Sequence, residues 1–411
     1  MMRLGRLFGS AMLKKHIPDF SNEVRDFFVS NLRIKPVLLN NKWMRFVFLI
    51  GFLSADTPIG AQMPLQYAKG FQVEYFDTYK VVTVLTPWPG ATEPFQYVLV
   101  PHDAPPPPEY TNAQRIEIPI RRLITTSTTH LPHLDVLNEV ASLVAIDGIK
   151  YVNTESVKKR FKAGHLAEVG HGISIDLEKI LVLEPDLVIT TATAQAQYNA
   201  HPVLQQAGVP VVINAAYAEP SLLGRAEWMK FVAAFFNKEE IAAARFDSVV
   251  AHYQTYSNKT RDLPANKRPT VFGGSLWRGT WFVAGGKTYM AQLIKDAGGT
   301  YLWAGNDSHK SLPFDFEAVY EKAHNVNFWI PVRTEWHTLA DITNTDNRYS
   351  DFGAYKTGQI YNANARLNKN GGNDYWEQGL IEPHMMLADL IKIFHPALLP
   401  DYQLKYHKQL K

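Results

Sequence analysis

The 411-residue sequence carries 42 Lys+Arg against 39 Asp+Glu, a formal net charge of +3, with 46% hydrophobic and 20% charged residues. That balance supplies enough apolar material for two sizeable cores, and without a long single-sign run it excludes a disordered chain and a nucleic-acid binder built on a basic stripe. The sequence has no cysteine, which excludes disulfides, thiolate metal sites, iron–sulfur ligation, a cysteine nucleophile and a lipidated cysteine.

Residues 1–61 form a leader with nine Lys+Arg and four Asp+Glu, so the remaining 350 residues are close to neutral, at −2. Within it, Lys42 and Arg45 precede the apolar run Phe46–Leu53, then Ser54, Ala55 and the small-residue stretch Pro58–Ala61. This is the pattern of a secretory signal cleaved near residue 61. The run falls short of the ~20 apolar residues that span a bilayer. Residues 1–43 lie upstream of an ordinary signal, which leaves open a misassigned start, a long leader, or an amphipathic helix Phe20–Leu32 belonging to the fold. The expectation is an exported monomer, free in a periplasm.

Residues 62–114 are expected to form a small antiparallel hairpin or meander from the runs Gln72–Phe76, Lys80–Leu85 and Phe95–Val100, closed by a stiff Pro105–Pro108 linker. Over 115–220 short apolar runs alternate with helical stretches: Leu123–Thr126, Leu131–Leu143, Val144–Asp147, Glu155–Lys162, Asp176–Leu183, Leu187–Thr190, Pro202–Ala207 and Val209–Ile213. This grammar implies βαβ units around a mostly parallel sheet. Residues 221–263 read as two bridging helices, divided where Asn237 and Glu240 resemble a capping box. From 264 to 411 the alternation resumes, with Thr270–Phe272, Tyr289–Asp296, Asp315–His324, Asn327–Pro331, Gln359–Asn362 and His384–Phe394. The fold class is α/β, two Rossmann-like lobes joined by a long helical bridge, with a β extension at the N-terminus.

The colinear order of Thr125–His130 at a first strand end, Glu168-Val169-Gly170, Asp176–Ile180 leading into Glu184–Ile189, Gly208–Val211, Leu223–Trp228 opening a long helix, Gly285-Gly286, Ala297–Gly299, and Trp376 and Gly379 before Pro383 resembles the ABC-transporter substrate-binding proteins for iron–siderophore, haem and cobalamin. The resemblance covers 115 to about 400 and implies a rigid clamshell whose cleft takes a metal chelate between strand ends and delivers it to a permease dimer in the inner membrane. It also implies one docking carboxylate per lobe. Glu178 matches in the first lobe, whereas the second-lobe turn has Thr288 where a Glu is expected.

Several residues are candidates to line such a cleft. Thr128 and His130 follow the first strand and precede a helix, where hydroxyls and amides suit an anion; plain N-capping is the alternative. Trp277 and Arg278, with Trp281, read as an aromatic wall with one guanidinium, or as an amphipathic hairpin packed on its own lobe. Arg333 and Trp336 occupy the equivalent place one strand on, and Tyr217 and Trp303 extend the wall. His130 and His133, with His165 or His171, would make a direct metal-ion binder instead. A chelate-modifying enzyme on the same scaffold is the remaining alternative, but the sequence has neither a G-x-S-x-G elbow nor an H-E-x-x-H helix. No catalytic residue and no resident cofactor is assigned. The polar stretch 338–358, with Asp341, Asp346 and Asp351, reads as a long loop, a flap by its position.

Overall fold

A computed structural model describes residues 61–105, 107–110, 113–170 and 175–411. The leader, with its signal-like run, and His171 lie outside these residues. Among the described residues no helix is long and apolar enough to cross a membrane.

The chain begins with a five-stranded sheet in sequential order: β1 (Ala61–Gln62), β2 (Phe71–Tyr75), β3 (Lys80–Val84), β4 (Phe95–Pro101) and β5 (Gln114–Ile118). The first four pair antiparallel, but β5 pairs parallel to β4. The extension is therefore larger than a hairpin. Its last strand crosses residue 115, where the sequence reading starts the first lobe, because the proline stretch serves as the crossover that a parallel pair requires. Alternation along β2–β5 sends Phe71, Val73, Val82, Leu99 and Ile116 into the main core and Val81 and Val98 to the opposite face.

The first lobe has the expected parallel sheet, in the order β10 (Val211–Ile213), β9 (Leu187–Thr190), β6 (Leu123–Thr125), β7 (Leu143–Ile146) and β8 (Ala167–Glu168). Its helices are α1 (Leu131–Val136), α2 (Glu155–Lys162), α3 (Leu177–Val182) and α4 (His201–Gln206). The helix expected over Leu131–Leu143 stops early, since Asn138 takes φ 60° and a short 3-10 turn leads into β7. Strands β6 and β9 are buried at every position, which is why they read as unbroken apolar runs.

Two bridging helices follow, α5 (Leu222–Ala234) and α6 (Glu239–Asn258). They divide where expected, but not through a capping box: Asn237 adopts φ 55° as the left-handed residue ending α5, and Lys238 caps α6 without a side-chain bond. Along α5 every residue except Arg225 is buried.

The second lobe carries a parallel sheet β14 (Thr300–Tyr301), β11 (Thr270–Gly273), β16 (Phe328–Ile330) beside an antiparallel sheet β12 (Ser275–Trp277), β13 (Thr280–Ala284), β15 (Ser311–Phe314). A short pair β17 (Tyr361–Asn362) and β18 (Lys408–Gln409) completes the strands. Helices α7 (Tyr289–Asp296), α8 (Phe316–Ala323), α9 (Leu339–Thr345), α10 (Gly353–Lys356) and α11 (Pro383–Phe394) surround them. The stretch 338–358 is thus folded, not a flap: Thr338 and Asp341 close a capping box, and Tyr349 and Phe352 are buried. Asp346 caps the following 3-10 turn and pairs with Arg348.

One aromatic cluster organises this lobe. Trp281 is fully buried, 5.7 Å from Trp329 and 5.4 Å from Tyr349 between ring centres, and its Nε1 donates to Gly273 O at 3.2 Å. Trp277, on the same hairpin, is 57% exposed. Substituting Trp281→Phe is expected to lower unfolding free energy by about 2 kcal/mol, through lost area and an abandoned carbonyl, whereas Trp277→Ala stays within about 0.5 kcal/mol. Urea unfolding of the two variants checks this, and equal effects would contradict the packing.

Candidate functional site

A cavity of about 400 Å³ lies between the lobes. Its first-lobe wall comes from residues just past three parallel strand ends: Thr129, His130 and, in α1, His133 after β6; Thr191 after β9; Asn214, Ala216 and Tyr217 after β10. Open α/β sheets place ligands at that edge because the strands end there with their loops free to diverge. Arg225 of the bridging helix α5 lines one side, and the second lobe contributes Tyr289 at the start of α7 with Trp376 and Leu380.

The loop after β6 is held from within. Ser127 caps the turn through Thr129 N (3.3 Å) and Thr129 Oγ1 (2.8 Å), and Thr126 Oγ1 meets Thr190 Oγ1 at 2.8 Å, tying two strand ends together. His130 is 3% exposed, and its Nδ1 lies 2.6 Å from Thr125 Oγ1. Burial, with His133 beside it, pushes the His130 pKa down to about 3, and burial alone pushes His133 down to about 4. Both rings are uncharged at neutral pH. Three deeply buried polar atoms of this wall have no partner within the protein: His130 Nε2, His133 Nδ1 and Asn214 Nδ2.

Arg225 is held rigidly. Its Nη2 donates to Tyr217 O at 2.6 Å and its Nε to Glu219 O at 3.1 Å, while the guanidinium stacks 4.1 Å from the Tyr289 ring centre. Burial lowers its pKa from the ordinary arginine value, yet an arginine keeps its charge in proteins. None of the lining residues is a carboxylate. The pocket therefore offers one cationic group, two lone-pair imidazoles and three aromatic side chains, Tyr217, Tyr289 and Trp376.

The predicted site residues divide. His130 and Tyr217 line the cavity, the latter with its hydroxyl on Ala192 O at 2.7 Å. Thr128 is half-buried one residue short of the lining, in the turn that Ser127 caps. Trp277 and Arg278 do not line it: they form the exposed tip of the β12–β13 hairpin, where Arg278 takes φ 50° and stacks on Trp277. Trp336 is a core residue, not a wall, fully buried with Nε1 on Thr345 Oγ1 at 3.0 Å. Trp303 is 6% exposed against Tyr301 and Phe314. Arg333 pairs with Glu335 and stacks on Trp336 within the second lobe. Among the described residues no group of three His, Cys, Asp or Glu could hold a metal ion. Glu178 is exposed in the first turn of α3, whose N-cap is Asp176.

Sequence reasoning missed Arg225, Asn214, Tyr289, Trp376 and Leu380. The available signal was Arg225 itself, the first of three charged residues, with Glu227 and Lys230, in the otherwise apolar α5.

Glu377, next to Trp376 in sequence, joins the second lobe to the first. Its carboxylate accepts from Asn153 N (2.9 Å) and Thr154 N (2.6 Å) of the first lobe and from Thr154 Oγ1 (2.5 Å). Burial raises its pKa above the ordinary carboxylate range, against these hydrogen bonds, which lower it.

The periplasmic binding protein family matches residues 123–367. An uncharacterised lipoprotein of Methanocaldococcus jannaschii is 24% identical over 357 residues, covering 81% of this chain and 82% of its own. A second from the same organism is 25% identical, covering 77% and 80%. Among solved structures, a possible iron-binding solute-binding protein of Staphylococcus epidermidis superposes with a TM-score of 0.52 at 15% identity, covering 67% of this chain and 99% of its own. The haem-binding protein RhuT of Roseiflexus sp. RS-1 gives 0.50 at 18% identity, covering 68% and 99%. The molybdate-binding protein MolA of Haemophilus influenzae gives 0.52 at 16%, covering 70% and 90%. These superpositions show a shared fold, and with a family match over more than half of its length the chain belongs to the periplasmic binding proteins, the solute-binding components of ABC transporters, in their class III form with two α/β lobes joined by a helical backbone.

Proposed function

We propose that this protein captures an anionic metal chelate (a ferric siderophore, haem or a corrinoid) outside the cytoplasmic membrane and hands it to the permease dimer of an ABC importer, working as a monomer without catalysis. The observation that carries this reading is the cavity's chemistry: a fixed guanidinium, no carboxylate and an aromatic lining. A bare divalent cation would face Arg225 with no countercharge, so the direct metal-ion alternative loses its footing. An enzyme acting on the chelate would need an acid/base pair, and both cavity imidazoles are held neutral far below working pH. The volume lies toward the lower end of small-ligand sites, about 300–1,000 Å³. Relatives named lipoproteins and a solved haem binder of the same fold agree with an extracytoplasmic chelate carrier.

Native mass spectrometry with a visible absorption spectrum, on protein purified from its own cell envelope, tests the reading. A coloured adduct of several hundred daltons is expected; a bare ion, or an empty protein that ignores ferric chelates, haem and corrinoids alike, overturns it. Arg225→Ala is expected to weaken binding of that adduct more than tenfold, because a buried charge–anion contact is lost, while Arg278→Ala at the exposed hairpin leaves it unchanged. Calorimetric titration of the two variants separates them, and the reverse order would move the anion site to the hairpin. Glu178→Arg is expected to leave ligand affinity intact and abolish uptake in cells carrying the cognate permease; normal uptake would refute docking through α3.

A further inference from the structure

A second pair of histidines stands apart from the cavity. His252 is exposed on the bridging helix α6, and His384 is half-buried in the first turn of α11. Neither lines the space between the lobes. Their ring centres are 5.4 Å apart, with the planes inclined by 31°. His252 Nδ1 lies 2.7 Å from Ser248 O. A carbonyl oxygen only accepts, so Nδ1 donates there, and in the neutral ring Nε2 keeps the lone pair. Among the described residues no group hydrogen-bonds His384, whose Nδ1 is buried. Burial pushes the His384 pKa down to about 4, with Glu382 opposing and His252, Arg245 and Lys405 assisting. Its ring is therefore neutral at working pH, and one of its nitrogens carries a lone pair.

The geometry points to a site for one divalent transition-metal ion held by His252 and His384, with water in its remaining positions, that fastens the bridging helix α6 to α11 of the second lobe. A metal–nitrogen bond of about 2.0–2.1 Å puts each imidazole centre roughly 3 Å from the ion, so two rings at a tetrahedral angle have centres about 5 Å apart. The two helices already hold the rings at that spacing. Ser248 O supplies the outer hydrogen bond that metal-bound histidines ordinarily make through their second nitrogen, which fixes the ring and raises its basicity. Imidazole suits zinc, copper and nickel, whereas magnesium and calcium take oxygen ligands. Glu382, two residues before His384, pairs with Lys405 and stands 3.9 Å from Arg245, which sets a carboxylate among the nearby cations. On binding, two metal-bound waters leave and two imidazole lone pairs replace them; the neutral rings lose no proton and the metal keeps its oxidation state. The ion is structural and not cargo, and it does not depend on what the cavity carries.

The test titrates the full chain, stripped with a chelator, with zinc chloride at pH 8 in a calorimeter. Saturable binding is expected, with one ion lost in His252→Gln and its affinity at least tenfold weaker in His384→Gln. The His130→Gln, His133→Gln double variant keeps that ion. Excess magnesium leaves it in place, and zinc raises the thermal unfolding midpoint of the wild type but not of His252→Gln. Because His252 is exposed, its variant folds even if His384→Gln does not. Copper(II) in the wild type gives an electron paramagnetic resonance signal coupled to histidine nitrogen, which is absent from the copper complex of His252→Gln. No saturable zinc binding overturns the site, and so does equal binding by the wild type and His252→Gln. An ion lost only in the His130→Gln, His133→Gln variant lies in the cavity and overturns it too, as does displacement by magnesium, which would mark oxygen ligands.

Discussion

Glu227→Ala is expected to remove about 5 kcal/mol of unfolding free energy, a large share of the ~5–15 kcal/mol that typical domains possess. Glu227 is fully buried on α5. Its carboxylate accepts from Gln66 N (2.9 Å), Tyr67 N (2.7 Å) and Ala68 N (2.8 Å), and it pairs with Lys230 Nζ at 2.9 Å. Truncation leaves three backbone donors without an acceptor and a buried ammonium with Pro64 O at 3.0 Å and the Phe246 ring, 4.9 Å away, as its remaining partners. Breaking one side of a buried pair costs about 3–5 kcal/mol, and each abandoned donor adds about 1–3 kcal/mol before relaxation. Because an apolar replacement of both partners is often tolerated, Glu227→Leu with Lys230→Met should recover part of the loss. Urea midpoints of the single and double variants measure this; a single-variant loss below about 1 kcal/mol would show that water enters and satisfies the strap. Glu219 repeats the device one step away, accepting from Lys69 N, Gly70 N and Trp228 Nε1. Residues 66–70 are therefore bolted to Glu227 of the bridging helix that presents Arg225 and to Glu219 just before it.

Much of the fold was legible because its signals are local. Strands buried on both faces appear as short apolar runs between breakers, so Leu187–Thr190 has the bounds read from the sequence, and so do the helices Glu155–Lys162 and Tyr289–Asp296. The misreadings concern partners distant in the chain. Nothing local distinguishes Trp281 from Trp277: the difference arises because β13 packs one face against Phe272, Trp329 and Phe352, while the hairpin tip projects past that layer. The polar composition of 338–358 concealed helices because Thr338, Asp341 and Asp346 act as caps there rather than as loop residues. At the site, strand-end residues such as His130 and Tyr217 were accessible to reasoning from alternation alone. Arg225 was not, since its role depends on Tyr217 and Glu219 turning their carbonyls toward it.

The flank of the cleft supplies the second large effect. Glu377→Ala is expected to destabilise the protein by about 3 kcal/mol and to raise the ligand dissociation rate more than tenfold. Glu377 belongs to the second lobe, yet its hydrogen bonds are to the first, at the N-terminus of α2, where Thr154 makes no side-chain cap of its own. It accepts from the N-cap residue Thr154 and from Asn153 before it, close to the positive end of the helix dipole. Asn368 Nδ2 adds bonds to Lys150 O and Val152 O, both 3.1 Å, and Asn370 Nδ2 reaches Lys150 O at 2.9 Å. Gly372 seals the joint, because a Cβ there would stand 2.0 Å from Tyr151 O. Gly372→Ala should therefore part the same junction by steric pressure while leaving the Glu377 carboxylate intact. Trp376 adjoins this latch in sequence, so loosening it is expected to withdraw one aromatic wall from the ligand while leaving Arg225 in place. The expected signature is a faster dissociation rate with an unshifted absorption band in both variants, measured by stopped-flow displacement. A dissociation rate unchanged in both would mean that the lobes hold their spacing through the bridging helices alone.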